Sequence, residues 1–101
     1  HGYHLCLDTS HSKLACNQHH WSFSDFVSTV GPHVSHIHVA DATGVDGEGL
    51  QILEGEIDFN VLGQNLAEYA PRASFIPEIW QGHKNGGESF WRSLELLESY
   101  L

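Results

Sequence analysis

An alternation of short strand-like and longer helix-like patterns runs the length of this chain and leaves few folds open to it. Tyr3 to Asp8 (YHLCLD) alternates as a strand does, with Leu5 and Leu7 on one side and His4, Cys6 and Asp8 on the other. Thr9 to Gln18 is polar and reads as a loop. Ser22 then reads as an N-cap, with Asp25 three residues on and Phe23, Phe26, Val27 and Val30 at helical spacing, until Gly31-Pro32 closes the helix. Val34 to Ala40 is a second strand, and Thr43 to Gly55 a loop carrying Gly44, Gly47, Gly49 and Gly55. Asp58 caps the next helix, striped by Phe59, Leu62, Leu66 and Tyr69 and stopped by Pro71. Ser74 to Ile79 is the third strand. Pro77 has no ladder donor, so it belongs at an edge or a strand end. Glu88 to Leu101 is the last helix, with Phe90, Leu94, Leu97 and Leu101 on one face. The order β-α-β-α-β-α predicts an α/β fold with a parallel sheet.

The second strand is unusual for such a sheet. His36, His38 and Ala40 share one face, and Ile37 and Val39 the other. Parallel strands usually read as continuous apolar runs. A face bearing His and Asp suits the lumen of a barrel better than the core of an open sheet. Asp41, Asp46 and Glu48 follow at once, which marks this region as the place to look for a cation.

Ligands of parallel α/β folds sit at the C-terminal ends of the strands. The first strand ends in Asp8, with His11 a turn later; the second delivers His38; the third delivers Glu78. Two carboxylates and an imidazole suit one divalent ion, such as manganese, magnesium, cobalt or zinc. Each residue also has a plainer reading. Asp8 could cap a turn before Thr9-Ser10, His38 could be a hydrogen-bonded core histidine, and Glu78 could pair with one of the four basic residues. His1, His4, His19, His20 and His33 read as structural or solvated. The loop His83-Lys84-Asn85-Gly86-Gly87 opens a helix, where free N–H groups and Lys84 could hold a phosphate, or it is an ordinary glycine turn.

Composition narrows the partners. Four Lys plus Arg against 13 Asp plus Glu give a formal charge of −9, which argues against nucleic acid and anionic membrane surfaces. Nine histidines are in excess for 101 residues and suit metal binding. Cys6 and Cys16 form no CxxC pattern and no obvious disulfide framework, so a reducing, cytoplasmic setting is expected. No apolar run approaches the roughly 18 residues of a membrane span, and no signal peptide is visible. The chain begins at His1 and holds no methionine, so it is expected to be a piece of a longer polypeptide.

These residues resemble the xylose isomerase-like TIM barrel superfamily, which includes sugar-phosphate isomerases and epimerases and endonuclease IV. The likeness is carried by Leu7-Asp8-Thr9-Ser10-His11, Ile37-His38-Val39-Ala40-Asp41, Gly47-Glu48-Gly49, Glu54-Gly55-Glu56-Ile57-Asp58-Phe59 and Phe75-Ile76-Pro77-Glu78. It implies the last three units of a (β/α)8 barrel, a fold of about 250 residues. The missing strands would come from the parent chain or from another copy in a homo-oligomer. By resemblance, Asp8, His38 and Glu78 are metal ligands, His11 contacts substrate or metal, and a further carboxylate comes from a strand before residue 1. The implied activity is isomerisation or epimerisation of a sugar or sugar phosphate through an enediolate. Glu78 would be a catalytic base and His11 would steady a substrate oxygen, with Asp41, Glu48 and Lys84 as further substrate contacts. Gly44 stands where many ketose epimerases of the family carry an arginine, and Leu53 where glycine is usual. The run from Val45 to Ile52 is also similar to barrels attached to sialic-acid synthase-like enzymes, which implies a non-catalytic metal- and sugar-binding module as an alternative. An endonuclease IV-type phosphodiesterase is a third, although Asp46 and Glu48 here replace an Asp-x-His pair.

Overall fold

The computed structural model describes residues 5–79 and 86–100. Strand β1 (Leu5–Asp8) leads into helices α1 (Thr9–His19) and α2 (Phe23–Val30). A turn of 3-10 helix over Gly31–His33 then enters β2 (Val34–Val39). A hairpin of β3 (Asp41–Thr43) and β4 (Gly47–Leu50) follows, then α3 (Phe59–Tyr69), β5 (Ser74–Pro77) and α4 (Glu88–Glu98). The β1, β2 and β5 strands form one parallel sheet in the order β1-β2-β5, and among the described residues the hairpin pairs only with itself. The fold is therefore a small α/β domain, as the alternation predicts, and among the described residues its sheet does not close into a barrel.

The register explains which residues are dry. Leu7 pairs with Ile37 and Ile37 with Phe75, while Asp8 pairs with His38 and His38 with Ile76. Leu7, Ile37 and Val39 lie buried on one face, in a core with Val27, Leu62, Leu66 and Ile52. His36 and His38 lie on the other face and are only half-buried. No helix among the described residues covers Cys6, Ser74 or Ile76, all of which are exposed. One face of the sheet is thus a core wall and the other is open. No helix of the described residues is long and apolar enough to cross a membrane.

The predicted caps form. Ser22 accepts the Asp25 N–H at 3.2 Å, and Asp58 accepts those of Asn60 and Val61 at 3.0 and 3.2 Å. Two loop expectations are corrected. Residues Thr9 to Gln18 are helical, because Asp8 caps them and because their far end closes in a Schellman arrangement. There His20 takes φ 57°, and the N–H groups of His20 and Trp21 reach Asn17 O and Cys16 O. The glycine-rich loop is in part a hairpin, since Gly49 supplies φ 67° and its N–H is taken by Ser10 Oγ at 2.8 Å. Strand β5 ends at Pro77, at the edge of the described sheet, and α4 buries Leu97 while Phe90 and Leu94 are half-covered. Tyr3, His4 and Leu101 lie outside the described residues.

Candidate metal centre

The C-terminal ends of the three parallel strands meet at one mouth. Thr9 locks this edge: its hydroxyl donates to Ala40 O at 2.8 Å and accepts the Ala40 N–H at 3.1 Å, so the end of β1 is tied to the end of β2. The Glu78 N–H continues the ladder onto Val39 O at 2.9 Å. The side chains of Asp8, His38 and Glu78 therefore converge on the open face. One ligand atom from each lies within 4.8 Å of the others. His38 Nδ1 contacts Glu78 Oε2, and the His38 ring meets that of His36 edge-on at 5.0 Å. His36 itself is engaged by Ser74 Oγ at 2.7 Å.

His11 stands beside this cluster. Its backbone N–H donates to Asp8 Oδ1 at 2.9 Å, its Nδ1 lies 3.1 Å from Asp8 Oδ2, and its Nε2 contacts Glu48 Oε2. The Glu48 carboxylate first, and Asp8 after it, hold the imidazole pKa above its ordinary 6.5. Asp8 thus performs the plain role as well, capping α1 with one oxygen. A cleft of about 320 Å³ opens here, lined by Asp8, His11, Glu48, Gly49 and Glu78.

Other expected residues fall elsewhere. Asp41 is fully buried, and its carboxylate accepts the N–H groups of Ala42, Gly55 and Ile57 at 2.8, 2.8 and 2.9 Å. It closes the loop after β2 from within and has no face for a substrate, so a substrate contact there is not retained. Lys84 lies outside the described residues. Asp46 is exposed in the hairpin turn and joins no ligand cluster among them. Sequence reasoning gave no role to Ser10, which ties α1 to the hairpin, or to Glu56. Glu56 accepts from the Thr43 hydroxyl at 2.7 Å and the Gly44 N–H at 2.8 Å. The only signal for either was a small polar residue or a carboxylate next to a glycine.

The donor set fits a divalent cation: two carboxylate oxygens and one imidazole nitrogen. These are the ligands that zinc and related divalent ions take at about 2.0–2.2 Å. No protein-family model, curated protein or solved structure matches the chain.

Proposed function

We propose that this chain carries the catalytic face of a divalent-metal-dependent isomerase or epimerase of sugars or sugar phosphates, built on the last three units of a TIM-type barrel. One observation carries the reading. Asp8, His38 and Glu78 are far apart in order, yet their donors gather within 4.8 Å at the C-terminal ends of three parallel strands. Side chains at that end are where parallel α/β folds keep their chemistry. A divalent ion held there would polarise a substrate carbonyl as a Lewis acid. Glu78, exposed at the end of its strand, takes a proton from the carbon beside that carbonyl. His11, fixed by Asp8, steadies a substrate oxygen in the cleft, and Lys84 is a contact for a phosphate group where the substrate has one. The open sheet face supports the barrel reading: a row of half-buried polar side chains is what a lumen presents once the remaining strands, from a parent chain or a second copy, stand opposite.

The test uses the full chain with manganese and a panel of aldoses, ketoses and their phosphates in deuterium oxide. Isomer formation and deuterium uptake beside the carbonyl are the expected results. Glu78→Gln should abolish uptake while manganese binding survives in part; unchanged uptake would refute its role. The exposure of the centre favours a second reading, a metal- and sugar-binding module without turnover. That reading gains if manganese and sugar bind and no deuterium enters.

A further inference from the structure

The outer edge of β5 is bare. Among the described residues no strand pairs there, and Ser74, Phe75 and Ile76 are exposed. The ladder fixes which backbone groups face outward. The Glu78 N–H donates to Val39 O, so residues 74, 76 and 78 turn their N–H and C=O toward β2, and the alternate residues turn theirs away. Of those, Pro77 has no N–H, and the Ala73 N–H is taken by Ala70 O at 3.2 Å. Phe75 therefore holds the one outward N–H that β5 has left to pair. Its ring borders an apolar groove of about 250 Å³ between α3 and the strand, with Ile37 and Leu66 in the floor and Ala67, Ala70 and Pro71 among the walls.

Charge decides what can cover this surface. No residue lining the groove is charged, in a chain of formal charge −9. Two such chains repel wherever acids meet, so the mouth, with Asp8, Glu48 and Glu78, is a poor place to join them. The edge from Ser74 to Pro77 carries no charge either. A strand laid against it finds one donor and one acceptor on Phe75, and a twofold-related Phe75 returns the same pair. We infer that β5 is the interface between two copies of this chain, paired antiparallel about Phe75, so that the two sheets run on as β1-β2-β5-β5-β2-β1. Opposed residues of a hydrogen-bonded antiparallel pair exchange both N–H···O bonds, so the two Phe75 residues satisfy each other. Their rings meet side by side where the two grooves join, and Ser74 of each copy opposes Ile76 of the other. Pro77 stops the pairing after this one exchange, which keeps a short edge from templating further strands. The interface does not depend on the chemistry of the mouth.

Sedimentation of the full chain should show dimers whose share rises with concentration. Ala67 is exposed on the groove wall, and arginine is a good helix former there. Ala67→Arg should keep the far-UV spectrum of wild type while setting like charges against one interface, which raises the dimer dissociation constant by about tenfold or more. Cross-linking in a Cys6→Ser background reads the register. Residue 74 of one copy faces residue 76 of the other in a non-hydrogen-bonded pair, with Cα atoms about 4.5 Å apart and so within disulfide range. A mixture of Ser74→Cys and Ile76→Cys chains should form a disulfide-linked heterodimer on oxidation, about tenfold or more faster than either variant alone links to itself. A chain that stays monomeric at millimolar concentration overturns the inference. So do dimers undiminished in Ala67→Arg, and so does a mixture that cross-links no faster than its components.

Discussion

Removing the Asp41 carboxylate would strand three backbone N–H groups inside the protein, those of Ala42, Gly55 and Ile57. A buried donor left without a partner costs about 1–3 kcal/mol. Asp41→Ala should therefore destabilise the chain by about 3 kcal/mol or more, read as a fall in the urea midpoint at constant slope. Asp41→Asn, which keeps one acceptor, should lose less. Equal midpoints for wild type and Asp41→Ala would contradict the geometry. Gly55 belongs to the same knot, since a Cβ there would meet Ala42 O at 2.4 Å and Asp41 Oδ1 at 2.6 Å. In the sequence, Asp41 is indistinguishable from a ligand, being a carboxylate just past a histidine-bearing strand. The donors that claim it are brought in by residues 55 and 57, and no local pattern announces that closure. Glu56 carries a pH dependence of its own. The Thr43 hydroxyl, and then the Gly44 N–H, hold its pKa below the ordinary 4.5. A carboxyl depressed in the folded state adds stability above its unfolded value and loses it as pH falls through the folded one. Wild type should thus melt above Glu56→Gln at pH 7, and the gap should narrow as pH falls below the ordinary carboxyl value of 4.5; a gap that widened there would reverse the assignment.

Helix α1 and the β3-β4 hairpin were illegible for one shared reason: neither has an apolar period. The run TSHSKLACNQH offers only Leu14, Ala15 and Cys16 as apolar residues, so helical spacing cannot declare itself. Its helix is defined at its ends, by Asp8 before it and by His20 in the left-handed region after it. By contrast α2, α3 and the strands, which bury Val27, Leu62, Ile37 and Val39, follow from periodicity and caps. The capping role of Asp8 can be separated from its proposed role as a ligand at this scale. Asn is as good an N-cap as Asp, whereas Ala costs about 1 kcal/mol. Asp8→Asn should therefore leave the thermal midpoint nearly unchanged and weaken manganese binding at least tenfold, while Asp8→Ala lowers both. Manganese affinity unaltered in Asp8→Asn would remove Asp8 from the proposed metal centre.

At the scale of the molecule, the parallel sheet and the gathering of Asp8, His38 and Glu78 at one mouth were readable because strand alternation and strand-end position are both written locally. The two faces of the sheet differ, and the two cysteines report on that difference. Cys16 is 1% exposed, and burial pushes its thiol pKa up. Cys6 is exposed on the open face, paired in register with His36, whose neighbour across the sheet is Ser74. Only a thiolate within reach of reagent reacts quickly. A chromogenic disulfide reagent should therefore titrate one thiol promptly in the native chain and the second only after urea is added. Cys6→Ser should abolish the prompt phase, and Cys16→Ser should leave it intact. Two prompt thiols would mean that α1 does not pack as described. The same phase tests whether the open face is an interface between copies. If a second copy packs on that face, Cys6 should become protected as protein concentration rises, with the onset matching dimer formation in sedimentation. A prompt phase independent of concentration while dimers form would place their contact elsewhere on the chain.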